Sequence, residues 1–128
     1  MTEYRILLPI SRPLLQNERL HWAAKAKRTK EIRRAVALLA RSRPYSIPHM
    51  DRITVQLEWR PRTAHRRDGD GPAPTIKAAV DGLVDAGVCD DDSTEYVTHL
   101  PLVLLPPVPR EPARIWLVVR ALETEEVA

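Results

Sequence analysis

The sequence predicts an α+β fold: a single mixed β-sheet with two helices packed on it, in the order β-α-β-α-β-β. Three observations lead there. Arg52–Arg60 alternates strictly, with Ile53, Val55, Leu57 and Trp59 set against Thr54, Gln56, Glu58 and Arg60, the period of a strand with one buried face. Two stretches instead carry apolar residues at helical spacing. Twelve prolines fence these segments from one another, and no repeat or long linker divides the 128 residues, so one domain spanning 1–128 is expected.

Taken in order, Tyr4–Leu8 reads as a short strand that Pro9 ends. Asn17 or Glu18 opens a helix that runs to about Ser42, free of Gly and Pro and rich in Ala, Leu, Lys and Arg. Its apolar stripe is Leu20, Ala24, Ile32, Ala35, Val36 and Leu39, and its basic residues lie largely elsewhere around the helix. After the Arg52–Arg60 strand comes a polar loop to about Ala73. Pro74 then starts a short helix that Gly87 stops, with Ile76, Val80, Leu83 and Val84 as its stripe. Strands over about Glu95–Leu105 and Arg114–Leu122 flank a proline-rich turn, and residues 122–128 are expected to fray.

Composition narrows the class. With 44% hydrophobic and 29% charged residues the chain is globular rather than disordered. Cys89 stands alone, so no internal disulfide forms, and the chain start does not resemble a secretory leader. Leu102–Val108 is too short and proline-broken to span a bilayer. A cytoplasmic protein without membrane association is expected. The net charge of +3 hides a division: residues 1–67 hold 16 basic and 5 acidic side chains, residues 68–128 hold 4 and 12. A basic half suggests a polyanionic partner, and an acidic half with clustered aspartates suggests a cation.

The chemistry concentrates in two places. Asp68 and Asp70 flank Gly69 between a strand and a helix, so both carboxylates can turn toward a hard cation such as Mg²⁺; a solvated turn is the plainer alternative. Asp90–Asp92 puts three mutually repelling carboxylates after the second helix, a cost that solvent or a cation relieves. For the two clusters to meet, the chain must return about 18 Å along a helix of about 12 residues. Lys77 lies one turn before Asp81, either as an i,i+4 ion pair or as a cation near a scissile phosphate. A calcium loop fails, because Pro72 and Ala79 occupy positions where ligands are needed. One Cys and four scattered His argue against zinc, and Cys89 reads as a small buried side chain rather than a nucleophile.

The run Arg66 to Asp92, R-R-D-G-D-G-P-A-P-T-I-K-A-A-V-D-G-L-V-D-A-G-V-C-D-D-D, resembles the core of RusA-type Holliday-junction resolvases. That family's pattern has an Arg before Asp-x-Asp-Asn, a Lys opening a helix, a helical Asp-x-Leu-x-x-Ala-Gly and a following Asp-Asp. Arg67, Asp68, Asp70, Lys77, Asp81, Leu83, Ala86, Gly87, Asp91 and Asp92 match it. Leu8-Pro9 and Asn17 before a basic helix resemble the family's first strand and the Asn that follows. The close match covers 27 residues. Gly71 replaces the Asn, and the Asp70–Lys77 gap is about three residues longer than in the best-known members.

The resemblance implies a homodimeric, Mg²⁺-dependent endodeoxyribonuclease that resolves four-way junctions in recombination and repair, with no small-molecule cofactor. Asp68, Asp70 and Asp92, with Asp91 as the other register, would bind the metal. Lys77 would assist electrostatically, and Arg66 and Arg67 would hold phosphates. Arg28, Arg33 and Arg34 on the first helix are expected to add phosphate contacts, and replacing Arg33 and Arg34 should leave folding intact. A catalytically weakened or inactive nucleic-acid-binding protein on the same fold is the alternative that Gly71 raises. A nuclease preferring flapped or branched DNA is a third reading.

Overall fold

The computed structural model describes residues 2–16, 21–64 and 71–122. Five strands and two helices follow one another as β1 (Glu3–Leu7), α1 (Trp22–Arg41), β2 (Ile53–Arg60), α2 (Ala73–Asp85), β3 (Val97–His99), β4 (Val103–Leu104) and β5 (Arg114–Ala121). They form one mixed sheet in the order β1-β5-β2-β3, with β4 also on β2. β5 runs antiparallel to both β1 and β2, while β3 and β4 run parallel to β2. The α+β class and the two helices agree with the sequence reading.

β2 keeps its alternation in space: Ile53, Val55, Leu57 and Trp59 are buried in the core, and the residues between them are half-exposed. Leu117 and Val119 of β5 and Ile6 of β1 continue the same buried face. The single strand expected over Glu95–Leu105 is two short ones. Pro101 has no N–H for the ladder, so the chain leaves β2 at Leu100 and returns at Val103, while Gln56 donates its side-chain amide to the Pro101 carbonyl at 2.8 Å. Leu122, expected to fray, donates its N–H to the Arg52 carbonyl at 2.9 Å.

α2 is buried over much of its circumference, through Thr75, Ala78, Ala79, Val80, Gly82 and Leu83. Gly82 explains how: a Cβ there would stand 2.5 Å from the Arg33 carbonyl oxygen and 2.9 Å from the Val36 Cβ, so the backbones of α1 and α2 touch at this point. Gly87 ends α2 as expected, at φ +80°. The Val88 N–H bonds to Leu83 O and the Gly87 N–H to Val84 O, the paired bonds of a Schellman stop.

α1 departs from expectation at its start. His21 caps it, its Nδ1 accepting from the Ala23 N–H at 3.2 Å, so the helix begins at Trp22; residues 17–20, Leu20 included, lie outside the described residues. Ala24 is exposed, because the first two turns run past the contact with α2, and burial is confined to Ile32, Val36 and Ala40. The β1–α1 loop is stapled to α2 by fully buried Thr75. Its Oγ1 accepts from the Leu14 N–H at 2.6 Å and donates to the Leu14 carbonyl at 2.9 Å. No described helix is long and apolar enough to cross a membrane.

Candidate active site

Asp68, Asp70, Arg66 and Arg67 lie outside the described residues; the segment that carries them leaves β2 through Arg62–Ala64 and rejoins the described chain at Gly71. At that point the Gly71 carbonyl accepts from the Gln16 N–H at 2.7 Å, which ties the entry of α2 to the β1–α1 loop.

The meeting of the two acidic clusters involves Asp68 and Asp70 and so lies outside the described residues, but Asp92 does come back to α2. Asp92 Oδ2 lies 3.2 Å from Lys77 Nζ, in the second turn of α2, although the two are separated by the rest of that helix and its stop. Lys77 also approaches Asp81 Oδ1 at 3.8 Å, so both the local ion pair and the longer one form. Lys77, Asp92, Val80 and His99 enclose a small cavity of about 110 Å³. The Lys77 ammonium, by hydrogen bond and charge, holds the Asp92 carboxyl below its ordinary range.

The three consecutive aspartates have separate partners. Asp90 Oδ1 meets His49 Nε2 at 2.9 Å, Asp91 Oδ1 accepts from the Asp92 N–H at 2.8 Å, and Asp92 faces Lys77. Their mutual repulsion is therefore eased by protein groups. Cys89, next to them, is buried as expected, and burial together with the three carboxylates pushes its thiol up to about 11, which leaves it protonated and unreactive.

Asp92 offers a carboxylate oxygen, the ligand type a hard ion such as Mg²⁺ takes, beside the Lys77 ammonium and His99. Among the described residues no three His, Cys, Asp or Glu side chains converge as a group that could hold a metal ion.

The three candidate arginines of α1 differ. Arg33 makes a bidentate pair with Asp85 of α2, Nε to Oδ2 at 2.6 Å and Nη2 to Oδ1 at 2.8 Å. A phosphate would have to displace Asp85, and through this half-exposed pair Arg33 joins the two helices. Arg28 donates to the Arg12 carbonyl at 3.0 Å. Arg34 is exposed on a groove of about 650 Å³ along α1, beside Lys25, Lys30 and Trp22, the last 76% exposed.

Two features escaped the sequence reading. His99 joins Lys77 and Asp92 only because β3 pairs parallel with β2, which no local pattern announces. A cleft at the end of the sheet collects Arg12, Arg62 and Arg110 from three distant segments. No protein-family model matches this chain, and no curated protein matches it.

Proposed function

We propose that the chain is a Mg²⁺-dependent endonuclease of the junction-resolving kind, hydrolysing phosphodiester bonds of four-way DNA in the cytoplasm as a two-fold symmetric homodimer. The observation that carries this reading is the Lys77–Asp92 pair, which brings the second acidic cluster back to the half of α2 that follows the Asp68–Asp70 loop. Two symmetric cuts on a junction suit a C2 dimer with one site per protomer.

In this reading Asp68, Asp70 and Asp92, or Asp91 in the other register, would hold the ion. Lys77 has two tasks: it fixes the Asp92 carboxylate toward α2, and its charge offsets the negative charge that gathers on the phosphoryl oxygens. Mg²⁺ held by these residues would supply Lewis acidity toward the attacking water and the phosphoryl oxygens. Arg66 and Arg67 orient the strand by its phosphates.

A second reading, a nucleic-acid-binding protein without cleavage, draws support from the protein partners that already satisfy Asp90, Asp91 and Asp92, and from Gly71 at the end of the candidate metal loop. Labelled four-way, flapped and duplex DNA, incubated with and without Mg²⁺, separate the readings. Asp70→Asn and Asp92→Asn should each abolish cleavage and preserve or tighten junction binding, since each removes a ligand and a negative charge. Cleavage of the junction at an unchanged rate by either variant overturns its ligand assignment. Binding without Mg²⁺-dependent cleavage by the unaltered chain favours the second reading, and preference for flaps over four-way DNA replaces the junction with a flap as substrate.

A further inference from the structure

Where β2 ends, the β1–α1 loop, the β2–α2 loop and the β4–β5 turn surround a cleft of about 690 Å³. Trp59 and Pro61 are buried residues that line it, and exposed Arg12, Arg62 and Arg110 stand around it. Three arginines about fifty residues apart in the chain thus line one cleft. Among the described residues the one carboxylate lining the cleft, Glu111, pairs with Arg60 at 3.0 Å.

The walls are fixed in advance. Arg60 also donates to the Pro112 carbonyl at 3.2 Å, which fastens the β4–β5 turn to the end of β2. The first loop is held by the Arg28 bond to the Arg12 carbonyl and by Thr75 on Leu14.

Arg110 is the telling residue. The Glu111 N–H bonds to the Val108 carbonyl at 3.1 Å, closing a turn with Pro109 second and Arg110 third, and Arg110 has φ +69°. That position of such a turn ordinarily falls to Gly or Asn, because a Cβ is strained there. A long cation therefore occupies a backbone site that glycine fits better, on the rim of a basic cleft. Strain of this kind accumulates where a side chain is retained for what it binds.

We propose that this cleft binds the sugar–phosphate backbone of DNA, with Arg62 and Arg110 engaging phosphates. The proposal rests on the DNA-directed reading above and extends the contact surface from the acidic site to the end of the sheet. Arginine suits the task because its planar fork engages phosphate oxygens in pairs. Contacts of this kind position the strand and read no sequence.

The test is the double variant Arg62→Ala/Arg110→Gly, with binding of labelled junction and duplex DNA followed across a salt series. Arg52→Ala, at the opposite end of β2, removes the same kind of charge away from the cleft and serves as the comparison. The double variant should bind DNA of any sequence more weakly, and its slope of log K against log[salt] should flatten by about 0.9 for each duplex phosphate released. Arg110→Gly alone should melt at an unchanged or higher temperature while weakening binding, a combination that a merely structural arginine would not give.

Binding and slope altered no more than in Arg52→Ala overturn the cleft and leave the DNA reading standing. Absence of DNA binding by the unaltered chain overturns both. Full displacement of DNA by inorganic phosphate at constant ionic strength would make the cleft a free-phosphate site and overturn the backbone assignment.

Discussion

Along α1, Arg33 and Arg41 direct their guanidinium groups at α2: Arg33 grips the Asp85 carboxylate, and Arg41 donates to the Asp85 and Ala86 carbonyls where that helix ends. At the end of the sheet, Arg62 and Arg110 border a cleft, and among the described residues neither forms an ion pair. All four belong to the same charge class, and two do architectural work. Arg41 satisfies the last carbonyls at the negative end of the α2 dipole, and Arg33 pairs with the carboxylate beside them. The sheet-end pair has no such task, and one of the two occupies a strained backbone position. Charge counts identify a basic protein; only placement separates the cations that hold it together from those that face a ligand.

The sharpest way to break this comparison is to force the helices apart. Gly82→Val would drive methyl groups into the Arg33 carbonyl and Val36, and both neighbours belong to α1's backbone or core. Overpacking of this kind costs about 3 kcal/mol. Denaturant titration should show the loss as a lower midpoint. If helix contact is what positions Arg33, the variant should also lose the benefit of Asp85, so adding Asp85→Asn to it should cost less than in the unaltered chain. Full additivity would detach the ion pair from the helix contact.

Much of the fold was legible because its signals are local. β2's alternation, Pro74 near the first turn of α2 and Gly87 at its stop each act within a few residues, and each stands in the structure where expected. The broken third strand was legible only in hindsight, through Pro101. Ala24 was misread because helical periodicity tells which face is apolar, not how far the partner helix extends. For the site, the sequence named Lys77 and Asp92 separately and gave Lys77 only Asp81 as a partner; the structure also pairs it with Asp92. Arg33's partner, His99's place beside Lys77 and the convergence of residues 12, 62 and 110 depend on strand order and helix crossing, which are long-range properties. Asp68 and Asp70 lie outside the described residues, and their roles rest on the sequence.

A middle-sized effect separates neighbours on α1. Arg34→Ala should leave the denaturation midpoint unchanged and, if Arg34 contacts DNA, flatten the salt slope by about 0.9 per phosphate. Arg33→Ala should do the reverse, lowering the midpoint by no more than a few degrees with little change in slope, because its charge is already engaged by Asp85. A matching pattern in the two variants would place both residues in one class and erase the distinction.

The smallest effect expected is a dependence on acid. The hydrogen bond and charge of Arg33 hold the Asp85 carboxyl below its ordinary 3.8. A carboxyl with a lowered folded pKa binds fewer protons in the folded state than in the unfolded state. Its contribution is therefore present in full above the unfolded value and is lost as pH falls through the folded one. Asp85→Asn should accordingly melt slightly below the unaltered chain near neutral pH, and the gap should narrow as pH drops below about 4. Because the carboxylate is 41% exposed, solvent and salt screen the pair, so the gap should also shrink at high ionic strength. A gap that persists undiminished at pH 2 would mean that Asp85 contributes through packing rather than charge. Arg33 would then be left without its architectural reason, and would return to the same footing as Arg62 and Arg110.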